Sequence, residues 1–139
     1  MPTLTRVFIK TGLVYFLMAM VVGVALAAPT VIHLPQGFAA LRPVYFHLFM
    51  VGWVLQLIIG IAYWMFPKLS KQEPRGSTAL GWLVYGCLNV GLMFRAVGEV
   101  LLALQPGVEI GWTLAAAAVL QLIGGWGFIV NTWLRVKER

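Results

Sequence analysis

Four long stretches of this chain carry no charged residue: Thr11 to Leu41, Pro43 to Pro67, Gly76 to Phe94 and Ile110 to Leu134. Each approaches or exceeds the roughly 20 residues that a helix needs to cross ~30 Å of hydrocarbon. A soluble domain has no use for four such runs in succession. Composition points the same way, since 61% of the 139 residues are hydrophobic and only 10% are charged, against about 25% charged in soluble domains. The expected fold is all-α, an integral membrane four-helix bundle forming a single transmembrane domain over residues 1–139.

Prolines and glycines set the expected helix ends. Pro29 and Pro35 interrupt the first stretch, so residues 29–42 read as a loop. Pro43 suits a first helical turn, Phe66-Pro67 breaks the second helix, and Ser77 or Thr78 offers a hydroxyl cap to the third. The spacing predicts helices over about 7–28, 43–66, 78–104 and 110–136.

A net charge of +6 would suggest nucleic acid in a polar chain, but here the basic residues punctuate apolar blocks and nucleic acid is excluded as a partner. Arg6, Lys10, Lys68, Lys71, Arg75, Arg135, Lys137 and Arg139 fall on one side of the spans and only Arg42 falls in a loop on the other. By the positive-inside rule both termini are expected in the cytoplasm, in a multi-pass protein of the inner (cytoplasmic) membrane. Leu13 to Ala27, after Arg6 and Lys10 and ending in Ala25-Leu26-Ala27, also resembles a signal peptide. We expect it to be retained as a membrane anchor. Cys87 is the single cysteine and lies in an apolar stretch, so it forms neither an internal disulfide nor a thiolate cluster.

An ionisable group inside a membrane span costs a few kcal/mol, so each one asks for a reason. At ~1.5 Å per residue, Arg95 and Glu99 lie roughly 25 and 31 Å along the third helix, and His47 about 28 Å back along the second, all near the outer boundary. Two readings of the Arg95/Glu99 spacing stay open: an i, i+4 ion pair that snorkels to the interface, or an Arg95 that pairs with a bound anion such as a heme propionate while Glu99 fixes the guanidinium. Proton transfer through Glu99 is a further one. Gly91 and Gly98, flanking Arg95, are expected to leave room for a ligand. His47 reads either as a hydrogen-bonded interface residue or as a heme or metal ligand, and His33, in the outer loop, either as solvated or as a second axial ligand. Gly52, Gln56 and Gly60 form a small-residue groove where another helix or a flat ring can approach closely, and Gly124, Gly125 and Gly127 on the fourth helix form a stripe suited to close helix packing. Gln56, Asn89 and Asn131 can bond across helices. Walker, C-x-x-C-H and H-E-x-x-H patterns are absent from the sequence.

The string Val44-Tyr45-Phe46-His47-Leu48-Phe49-Met50-Val51-Gly52-Trp53, followed by Gly60-Ile61-Ala62-Tyr63-Trp64-Met65-Phe66-Pro67-Lys68, resembles a helix of heme-copper oxidase catalytic subunits. The C-type branch and its nitric oxide reductase relatives are the nearest in pattern: a histidine, a glycine-rich run and an aromatic exit to Pro-Lys/Arg. The resemblance also extends to small four-helix proteins related to that subunit, and is clearest over residues 41–104. It implies a membrane respiratory protein with a heme b site in which His47 takes the family's histidine position. Two departures limit it. Tyr45 stands where the family frequently has a second histidine, and Arg95 to Leu104 replace the multi-histidine stretch that binds copper. With two histidines in all, this chain cannot assemble two hemes and a copper site, so oxygen reduction by this polypeptide alone is excluded.

The expected function is therefore that of a membrane subunit in a respiratory or photosynthetic electron-transfer assembly, with heme b near the outer face bound through His47, Arg95, Glu99 and His33. Its expected partners are membrane lipid and other membrane subunits or further copies of itself. The alternatives are a cofactor-free accessory subunit and a quinol-binding module in which His47 and Glu99 hydrogen-bond a quinone.

Overall fold

Each of the four apolar stretches contributes a helix. The computed structural model describes residues 1–28, 41–71, 74–105, 107 and 109–136. Among these, α1 covers Thr3–Ala27, α2 Leu41–Met65, α3 Thr78–Leu104 and α4 Gly111–Thr132, the last extended by a 3₁₀ turn over Trp133–Arg135. The described residues contain no β-strand. Each helix is long and apolar enough to span a membrane, and 25 residues rise about 37 Å, more than the hydrocarbon core requires.

Helix α1 begins at Thr3, not near Val7 as expected, with Pro2 as its cap residue. Arg6 and Lys10 do not delay it, because a long basic side chain can lie along the helix and carry its charge to the headgroups. Helix α2 begins at Leu41, two residues before Pro43, which still sits in the first turn where its missing N–H costs nothing. Ser77 caps α3 as expected, its hydroxyl accepting from the Leu80 N–H at 3.3 Å.

The middle of α2 departs from the expected α-helix. Between the α-turns Leu41–His47 and Gln56–Met65, the segment Leu48–Leu55 is a π-helix. Its wider turn resets which side chains face the bundle, and it begins directly after His47. π-Turns are rare, and they concentrate at functional sites.

Helix packing rests on small residues, because lipid is as apolar as a leucine side chain and supplies no hydrophobic drive between helices. A Cβ added at Gly52 would stand 2.8 Å from Tyr15, and one at Gly60 would stand 3.1 Å from Phe8, so α1 closes onto α2. On the other side, Gly124 and Gly127 receive Leu88 and Val84 of α3. Gly125 borders open space. Two apolar clusters run through the bundle, Phe8, Ile59, Tyr63, Val84 and Leu88 in one half, and Tyr15, Ala19, Val44, Leu48 and Leu92 in the other.

Polar groups stitch the same interfaces. Gln56, fully buried, donates to the Asn89 side chain at 3.1 Å, while Asn89 donates to the Tyr85 carbonyl at 2.7 Å. The Thr11 and Tyr85 hydroxyls lie 2.9 Å apart. Asn131 joins α4 to α2 and to the segment before α3, donating to the Tyr63 hydroxyl at 3.3 Å and the Ser77 carbonyl at 3.1 Å.

Arg135 locks the end of the bundle that gathers the basic residues. It is 1% exposed, although its charge alone marks it as a surface residue. Its guanidinium donates to the carbonyls of Pro67 (3.0 Å), Phe66 (2.9 Å), Tyr63 (3.2 Å) and Arg75 (3.3 Å), and its plane lies over the Phe66 ring. The break at Phe66-Pro67 strands the last carbonyls of α2, and this fork satisfies them.

Candidate functional site

Three of the four sequence-predicted site residues lie at the opposite end of the bundle. Val44 and Leu48, on either side of His47, pack in one cluster with Leu92, Ala96 and Val100 of α3, so His47 and the Arg95/Glu99 segment are level. His33 lies outside the described residues.

Arg95 and Glu99 form the expected i, i+4 pair, with Nε donating to Oε1 at 2.6 Å. The pair is lopsided. The arginine side chain is 28% exposed and the glutamate 8%, and the second carboxylate oxygen, Oε2, is buried without a hydrogen-bond partner among the described residues. An unpaired buried carboxylate oxygen is costly to leave as it is and is ready to accept a hydrogen bond from an incoming O–H or N–H. With Nε engaged, the terminal nitrogens of Arg95 have no partner among the described residues and can pair with an anion.

His47 does not join this pair. Its Nδ1 lies 2.8 Å from the Pro43 carbonyl one turn back. A carbonyl only accepts, so Nδ1 carries the proton and, in the neutral ring, Nε2 keeps its lone pair. That is the tautomer and orientation a second partner imposes on a metal-binding histidine. The ring is half-buried on a face that also shows Phe46 and Met50, 62% and 53% exposed.

No family model, curated protein or solved structure matches the chain. Among the described residues, no three histidine, cysteine, aspartate or glutamate side chains come close enough to hold a metal ion together.

The expected space for a ligand beside Arg95 is taken by protein. A Cβ at Gly91 would stand 3.1 Å from the Ala117 carbonyl and 3.2 Å from Gln121, and one at Gly98 would collide with Thr113. The two glycines admit helix α4, not a flat ring, because backbone approach is the way a bilayer protein gains packing energy. Gly52 is similarly closed by Tyr15. A heme does not fit between the helices at these positions. On the lateral face of α2, His47 Nε2 has no hydrogen-bond partner among the described residues, and the nearby Phe46 and Met50 side chains are exposed.

Sequence reasoning missed the structural weight of Arg135, whose partners lie on segments distant in the chain. It also missed Thr5, which is fully buried with an unpartnered hydroxyl.

Proposed function

We propose that this four-helix membrane protein is a subunit of a respiratory or photosynthetic electron-transfer assembly, and that it presents His47 to a b-type heme at the lateral face of α2. A further ligand would come from His33, from a neighbouring subunit or from a second copy. The observation that carries the reading is the half-buried His47 ring, held by the Pro43 carbonyl through Nδ1 so that Nε2 keeps its lone pair. Arg95 would balance a propionate, with Glu99 holding the guanidinium in place. The heme, when bound, supplies one-electron transfer. The resemblance over residues 41–104 adds support.

A reduced-minus-oxidised spectrum of the purified protein and of the native membrane tests this. His47→Ala should abolish the heme b signal. Arg95→Leu should retain heme and lower its potential, since loss of a nearby cation favours the more positive, oxidised form. An unchanged spectrum in His47→Ala, or no heme in either preparation, discards the proposal.

The filled glycine seams favour one second reading, a cofactor-free accessory subunit that packs against larger helices. It predicts no visible absorption and a stable association that survives His47→Ala.

The positive-inside rule assigns the end bearing Arg6, Lys68, Lys71 and Arg75 to the cytoplasm. In a Cys87→Ser background, an impermeant thiol reagent added to intact cells should label Glu109→Cys and spare Lys71→Cys, both exposed positions. The reverse pattern inverts the topology.

A further inference from the structure

The end of the bundle that carries most of the basic residues holds a cleft of about 420 Å³. Its walls are the first turn of α1, the approach to α3 from Pro74 to Thr78, and Tyr63, Trp82 and Asn131. Two helices therefore begin at one hollow. The first N–H groups of a helix lack intrahelical partners and carry partial positive charge, so two starts facing one space favour an anion there. The opposing charge from the C-terminal end of α2 is muted, since Arg135 occupies its carbonyls.

A second observation is independent of the helix ends. Thr5 lines the cleft, is 0% exposed, and its Oγ1 has no hydrogen-bond partner among the described residues. A buried hydroxyl with nothing to bond is a cost that a native fold seldom carries without a ligand or water to relieve it. The lining also includes Thr3, Ser77, Thr78 and Arg75, and none of the described lining residues is acidic. Glu73, the acidic residue of the same loop in the sequence, lies outside the described residues.

We propose that this cleft binds a phosphate group. Its place matches its chemistry, because the ends of membrane spans lie at the level of lipid headgroups, and Trp82 and Leu4 in the lining supply an apolar wall for the chain beyond a phosphodiester. The volume also exceeds what a bare phosphate fills and falls among ordinary small-molecule sites of roughly 300–1,000 Å³. The ligand is thus the phosphate of an anionic glycerolipid or a soluble phosphate, both read by the same donors. The inference is independent of the heme proposal, which concerns the other end of the bundle.

The test compares thermal unfolding of detergent-purified protein with phosphatidylglycerol, phosphatidylcholine or inorganic phosphate added, in wild type, Thr5→Val and Arg75→Gln. Val has the shape of Thr without the hydroxyl, so Thr5→Val should raise the melting temperature of the lipid-free protein by removing an unsatisfied group, and weaken the phosphate ligand about 5- to 10-fold. Arg75→Gln should weaken it about 10-fold or more through a lost charge-assisted bond. Stabilisation by phosphatidylglycerol but not by phosphatidylcholine or phosphate, reduced in both variants, identifies a lipid as the source. The same variant pattern with inorganic phosphate alone supports the site with a soluble ligand. Equal stabilisation of wild type and both variants, or none by any phosphate compound, overturns the proposal.

Discussion

Arg135→Leu should unfold the bundle at its basic end, with a loss on the order of 3–5 kcal/mol, because hydrogen bonds to a charged donor are worth about 1.5–3 kcal/mol each and four carbonyls lose theirs together. The four are not additive, since they share one side chain. Leucine also leaves those carbonyls in an apolar pocket. Arg135→Lys should be intermediate, as one ammonium lacks the flat fork that reaches four acceptors around it. Cys87, half-buried within α3, provides the readout: its reaction with a thiol-reactive fluorophore during heating reports opening of the helices. A Leu variant that melts with wild type would remove the clamp from the account.

Gly52→Leu should prevent α1 from seating on α2. Even a Cβ there lies 2.8 Å from Tyr15 Cβ and Cγ and 3.0 Å from Leu92, and overpacking a tight interface costs about 1–3 kcal/mol for far smaller insertions. Gly60→Leu meets Phe8 and Ile9 at 3.1 and 3.2 Å and should behave alike. The control is Gly125→Leu, which enters open space and should leave yield and melting temperature unchanged. Size-exclusion profiles in mild detergent decide it. A monodisperse Gly52→Leu with wild-type melting would show that the seam tolerates separation.

The helices were legible because hydropathy acts through sums over many residues, and no local detail can reverse a run such as Leu13 to Ala27. Their ends were less so: Thr3 and Leu41 lie outside the boundaries that charge and proline suggest, since neither stops a helix at its first turn. The π segment after His47 has no compositional mark, because Leu48 to Leu55 would read as an ordinary α-helix. Gly91 and Gly98 illustrate a different limit. A glycine declares that something approaches closely, and only the fold tells whether that is a cofactor or the Ala117 carbonyl. The pairing of Arg95 with Glu99 follows from helical spacing, whereas its lopsided burial depends on how the neighbouring helices pack around α3. Arg135 was hardest to read, because a lone guanidinium near the end of a span looks like a topology signal until the carbonyls stranded by Pro67 are found beside it. One clue was present: a proline break in a bilayer leaves acceptors that some donor must reach.

The Arg135 clamp also orders events during synthesis. Its acceptors at Tyr63, Phe66 and Pro67 precede it by 68 to 72 residues, so a ribosome delivers the second helix to the membrane well before the group that finishes it. Until α4 has been threaded, the nascent chain holds an unsealed helix end, available to water, a lipid or an insertion factor. Maturation of this protein is thus gated from its far side: the first helical hairpin becomes final only when the second has closed over it.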